Sequence, residues 1–116
     1  MIGWIGKLNY PPYAQDEIFS VVFANNMNPG QGVAVIHQWT KDASGKSKSN
    51  SFAQGTVSKS VISGPMEREL EILYNERETT YYWYKGKQSG GKLILSMFNK
   101  HGVEVAKNIE LVAVYY

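Results

Sequence analysis

A chain of 116 residues with 43% apolar content supports one folded domain, 1–116, and excludes intrinsic disorder. The absence of cysteine removes disulfides, thiolate nucleophiles and cysteine-based metal sites. Two histidines, His37 and His101, leave little for an imidazole-built zinc centre, and a net charge of +2 is too small to point to a polyanion. No metal, no cofactor and no nucleic-acid partner is therefore expected.

Period-2 alternation dominates the chain. Ile2–Leu8 reads as a first strand, followed by the stiff extended segment Tyr10-Pro-Pro-Tyr13. Residues 17–25 place Phe19, Val21 and Phe23 on one face. The turn-rich stretch Asn25–Gly32 then reads as a hairpin loop into 33–40, where Val33, Val35, His37 and Trp39 share a face. Residues 41–51 are polar apart from Ala43 and predict a long loop, with Phe52–Gly55 as a flexible continuation. A strand over 56–62 ends at Ser63-Gly64-Pro65.

Within 67–75, glutamates alternate with Leu70, Ile72 and Tyr74, which predicts a half-buried strand. A helix competes there, because Met66, Leu70 and Leu73 also follow helical spacing. Thr79–Lys85 is the strongest β sequence, Gly86–Gly91 a turn, Lys92–Asn99 a strand, Lys100-His101-Gly102 a turn and Ile109–Tyr116 a last strand. Seven or eight strands at this spacing predict an all-β, antiparallel β-sandwich, with a small barrel as the alternative.

Charge is blocked along the chain. Residues 41–60 carry four lysines against Asp42, residues 67–78 five glutamates against two arginines, and residues 85–107 five lysines against Glu104. Such blocks mark solvated strand faces, where lysine also discourages sheet-to-sheet pairing. The N-terminal residues lack a signal-peptide pattern, and no apolar run approaches the length of a membrane span. The expected protein is soluble, either cytoplasmic or secreted without a classical signal peptide.

Catalytic chemistry finds little support. Glu69 and Glu71, two residues apart on one strand face, would stand about 6.5–7 Å from each other, but they fall on the side expected to face water. His37 lies in an apolar row and suits a core or rim position with one hydrogen bond. His101 lies in an exposed turn. No serine sits in a nucleophile elbow, and the glycine-rich stretch 86–91 joins strands, with no helix to receive a phosphate. An enzyme is not expected.

The run Tyr81-Tyr82-Trp83-Tyr84 puts large aromatics on both faces of its strand. Packing Trp83 with Tyr81 against Leu93, Leu95 and Met97 would leave Tyr82 and Tyr84 as an outward platform beside Lys85 and Lys87, with Tyr10 and Tyr13 supplying further rings. As plain cross-strand pairs these tyrosines stabilise a sheet by about 0.2–1 kcal/mol each. As a contact surface they suit a glycan or a lipid headgroup. In size, strand density and tyrosine content the layout resembles small non-enzymatic β-sandwich families: fungal and bacterial lectins, aegerolysins and actinoporin-like cytolysins. The expected function is a lectin-like or headgroup-binding module using Tyr82, Tyr84, Lys85, Lys87, Tyr10 and Tyr13. The alternatives are a pore-forming or insecticidal toxin component, in which 41–55 would rearrange at a membrane, and a structural, assembly or inhibitor protein that self-associates as a homo-oligomer.

Overall fold

The computed structural model describes residues 2–10, 13–24, 26–41, 47–77 and 80–115, with side chains left aside at 41, 47–53, 75–77, 80, 81 and 115. Among these residues there are eight strands and no helix: β1 (Ile2–Tyr10), β2 (Ala14–Phe23), β3 (Gly32–Lys41), β4 (Ser47–Gly64), β5 (Glu67–Arg77), β6 (Thr80–Ser89), β7 (Lys92–Phe98) and β8 (Glu104–Tyr115). Each strand pairs antiparallel with its sequence neighbours, and β1 pairs with β8 from Ile2↔Tyr115 to Gly6↔Leu111. The sheet is a closed up-and-down barrel, so the barrel alternative holds and the sandwich does not. Three inward-facing glycines show why the sheet can curl. A Cβ on Gly86 would lie 1.8 Å from the Ile94 carbonyl oxygen, on Gly6 2.2 Å from that of Glu110, and on Gly55 2.7 Å from that of Leu73. Bare backbone at these positions lets neighbouring strands close up where the wall bends.

The 67–75 segment is strand, as its Glu/Leu alternation predicts; its helical spacing loses because both edges of β5 find strand partners in β4 and β6. Two loops are shorter than the sequence suggests. β4 begins at Ser47, so 47–51 is strand rather than loop, and Phe52–Gly55 is held in register with Val33–Ile36. Residues 42–46 lie outside the described residues. β6 runs through to Ser89 and turns into β7 over Gly90 and Gly91 alone, with Ser89 opposite Lys92 and a positive φ of 59° at Gly90. The β4–β5 turn is as tight: Pro65 and Met66 separate Gly64 from Glu67.

Alternation sends one side of every strand into the barrel. Trp4, Phe23, Val33, Val57, Leu70, Leu93 and Leu111 are buried towards the end carrying the Gly90 turn. Leu8, Ala14, Phe19, His37, Tyr74, Tyr84 and Met97 are buried towards the opposite end, where Tyr13 turns β1 into β2. The outer wall of β4–β6 is ionic: Lys59 lies 3.7 Å from Glu69 and 3.8 Å from Glu71, and Lys85 lies 3.5 Å from Glu71. Glu69 and Glu71 thus face water, paired with lysines, as the alternation predicts.

Candidate ligand site in the aromatic end of the barrel

The alternating row Val33–Val35–His37–Trp39 points inward on β3, and its register with β2 sets Phe19 opposite His37. Tyr74 on β5 is paired with Tyr82 on β6, while Tyr84 pairs with Ile72 and Met97. Six rings from four strands therefore share the interior at the Tyr13 end. The His37 ring stacks with Trp39 at 4.5 Å and 16°, and with Phe19 at 4.7 Å and 27°. Phe19 stacks in turn with Tyr84 at 5.1 Å, and Tyr74 meets His37 edge-on at 5.5 Å. Tyr82 leans over Tyr74 at 6.0 Å and over Trp39 at 6.4 Å. The inner four are closed off from solvent, whereas Trp39 and Tyr82 are only partly buried, so the cluster grades from a dry floor to an open rim.

His37 is the one buried polar or charged side chain among the described residues. Its Nε2 meets the Tyr84 hydroxyl at 2.5 Å, while Nδ1 has no hydrogen-bond partner. Burial pulls its pKa down to about 3, since the apolar surroundings penalise the imidazolium. At neutral pH the ring is uncharged, with one nitrogen a donor and the other an acceptor. The expectation of a core histidine with one hydrogen bond is met, and the rings around it come from β2, β5 and β6 as well as β3, which alternation along a single strand does not reveal.

The outward platform is overturned. Tyr84 is wholly buried and Tyr82 packs against the core, whereas Trp83 faces outward beside its neighbour Phe98. The two-residue turn is the physical reason: with Ser89 opposite Lys92, Tyr84 falls opposite Met97 and must share its inward face. Tyr81 lies among the side chains not described. Lys85 and Lys87 stand on the outer wall, away from both tyrosines. Lys85 Nζ lies 5.7 Å from the Trp83 ring centre and 5.3 Å from that of Phe98, and Lys87 pairs with Glu67 at 3.4 Å.

Tyr10 and Tyr13 meet edge-on at 5.1 Å beside the same barrel end as Tyr82 and Tyr84. Tyr10 is partly buried against the core, and desolvation, followed by the neighbouring Tyr13, raises its hydroxyl pKa. The Tyr13 turn is tied down by its amide donating to the Tyr10 carbonyl and its own carbonyl accepting from the Thr40 amide, 2.7 and 2.8 Å. Four of the six anticipated residues thus belong to one end of the barrel, and the two lysines do not. Among the described residues no three carboxylates or histidines come together as metal ligands, and no helix is long and apolar enough to cross a membrane. Comparison of the chain with protein-family models, with curated proteins and with solved structures finds no match.

Proposed function

We propose that this protein is a non-enzymatic, lectin-like binding module that holds a sugar ring at the Tyr13 end of the barrel. The observation that carries this reading is the continuous cluster of six rings, buried at Phe19, His37, Tyr74 and Tyr84 and opening at Trp39 and Tyr82. Eight-stranded barrels either fill with side chains or hold one small ligand. A half-open rim of amphipathic rings, Trp39 and Tyr82, over a floor that holds His37 and two tyrosine hydroxyls favours the second use.

A lipid headgroup is the other ligand class suited to surface tyrosines, and it loses support with Tyr82 and Tyr84 turned inward. The membrane-rearrangement reading rested on 41–55 being loose, and 47–55 is paired along β3. Retention of the full chain on a glycan array, lost on Trp39→Ala or Tyr82→Ala without a change in the circular dichroism spectrum, is the expected result. Retention on phosphatidylcholine or phosphatidylserine vesicles with none on glycans would overturn the reading.

A further inference from the structure

Phe19, His37, Tyr74 and Tyr84 are closed off from solvent, so a ligand that rests on them must enter where the wall gives way. We propose that the β1–β2 hairpin, Lys7–Ile18, is that part of the wall: a strap hinged at Gly6 and Phe19 and latched on Thr40, which lifts as a unit. What enters rests on the lectin-like reading; how the wall opens rests on the strand pairing.

Pairing delimits the strap. β1 leaves β8 after Gly6, which lies opposite Leu111, and β2 is paired with β3 only from Phe19, opposite His37, onward. Between those points β1 and β2 pair with each other alone, with Lys7 opposite Ile18, Leu8 opposite Glu17 and Tyr10 opposite Ala14. The wall is therefore split along both sides of a two-stranded ribbon, at the end of the barrel that holds the rings. Gly6, where β1 parts from β8, has no side chain to hinder a change of backbone angle.

The ribbon is stiff within itself. Asp16 holds a positive φ of 53° beside the register shift between Leu8 and Tyr10. Its amide donates to Asn9 Oδ1 at 2.9 Å, and Asn9 Nδ2 donates to Asp16 Oδ1 at 3.2 Å. These bonds travel with the hairpin, so it moves in one piece.

Its ties to the rest of the protein converge on one residue. Among the described residues, the hydrogen bonds leaving this ribbon all end on Thr40. The Thr40 amide donates to the Tyr13 carbonyl at 2.8 Å; its hydroxyl accepts from the Gln15 amide at 3.0 Å and donates to Glu17 Oε1 at 2.7 Å. No ion pair among the described residues joins the ribbon to the wall. Leu8, Ala14 and in part Tyr10 are its apolar anchors. Lifting the strap breaks the Thr40 bonds and uncovers those side chains, a local opening that leaves the remaining strand pairs intact. Trp39, the residue before Thr40, stacks on His37 at 4.5 Å, so the latch adjoins the ring cluster.

Two measurements test the strap. Thr40→Val removes the hydroxyl, and hydrogen exchange should rise at least fivefold at Ala14–Ile18 while Val21–Phe23 keep the parent's rate. Thr40→Ser should restore the parent's exchange. Because the chain has no cysteine, Gln15→Cys with Thr40→Cys can lock the strap through a disulfide, its formation read by mass. On a glycan array the oxidised lock should lose at least tenfold in retention and recover it on reduction. Equal exchange in Thr40→Val and the parent, or a rise spread evenly over β2, overturns the strap. Full retention by the oxidised lock overturns its part in entry and leaves the lectin-like reading standing. No glycan retention by the parent overturns that reading together with the strap's part in entry, and the exchange rates alone then decide whether the hairpin lifts.

Discussion

His37 is the residue whose burial has the sharpest measurable consequence. Its folded-state pKa of about 3 lies below the ordinary 6.5, so the unfolded chain takes up a proton that the folded chain refuses. Stability from this group is complete above pH 6.5 and is lost as pH falls through the window from 6.5 to 3. The shift corresponds to about 4–5 kcal/mol at the acid end of that window. Urea melts between pH 7 and 4 should show this fall, and His37→Phe, which keeps a ring but cannot titrate, should lose most of the slope. A parent curve as flat as the variant's would mean the histidine is hydrated in the native state.

Tyr84 and Trp83, adjacent in sequence, should behave oppositely to what their sizes suggest. Tyr84→Ala empties a wholly buried site and should cost about 3–5 kcal/mol, and Tyr84→Phe should cost about 1–3 kcal/mol by stranding His37 Nε2. Trp83→Ala removes an outward ring and should cost about 1 kcal/mol. Thermal melts of the three variants report the ranking directly.

The β6–β7 hairpin shows where the sequence could and could not be read. Both strands are plain from their β-rich composition, and the row Leu93, Leu95, Met97 is legible as the inward face of β7. The face of β6 is not, because Tyr81–Tyr84 is aromatic at both parities and alternation carries no information there. What fixes it is the turn. Reading Gly86–Gly91 as one loop leaves the register free, whereas recognising Gly90-Gly91 as a two-residue turn pairs Tyr84 with Met97. The same hairpin supplies a substitution test. Gly86→Ala sets a Cβ against the Ile94 carbonyl oxygen and should cost several kcal/mol, while Gly91→Ala meets nothing within 4 Å and should stay within about 0.5 kcal/mol of the parent. Comparable denaturant midpoints for the two variants would show that the wall is not pinched at Gly86.

At the scale of the whole molecule, the all-β class follows from alternation, but closure does not. Strand number and spacing serve a sandwich and a barrel equally, and the difference lies in whether β1 meets β8. That contact joins residues more than a hundred positions apart, and local sequence holds no trace of it beyond the inward glycines at 6, 55 and 86. The candidate site was half legible for the same reason. Tyr82 and Tyr84 stood out by composition, while Phe19, His37, Trp39 and Tyr74 became a site only when the wall brought four strands round one interior. Hydrogen exchange tests closure: amides of β1 and β8 should be protected as strongly as those of β3, whereas an open sheet would leave two strands exchanging rapidly.

The β1–β8 pairing also makes the strand order cyclic. Ile2 lies opposite Tyr115, and each remaining junction joins strands that are already neighbours, so the connectivity around the wall is the same whichever strand is counted first. Cutting the chain between Gly90 and Gly91, and joining residue 116 to residue 1 through a short glycine-serine linker, would yield a circular permutant beginning at β7 with every strand pairing preserved. Such a permutant would turn the long-range seam into an ordinary hairpin and make β6 with β7 the last contact to form, so its folding rate, set against the parent's, would measure how much the closure of that one seam slows the assembly of the barrel.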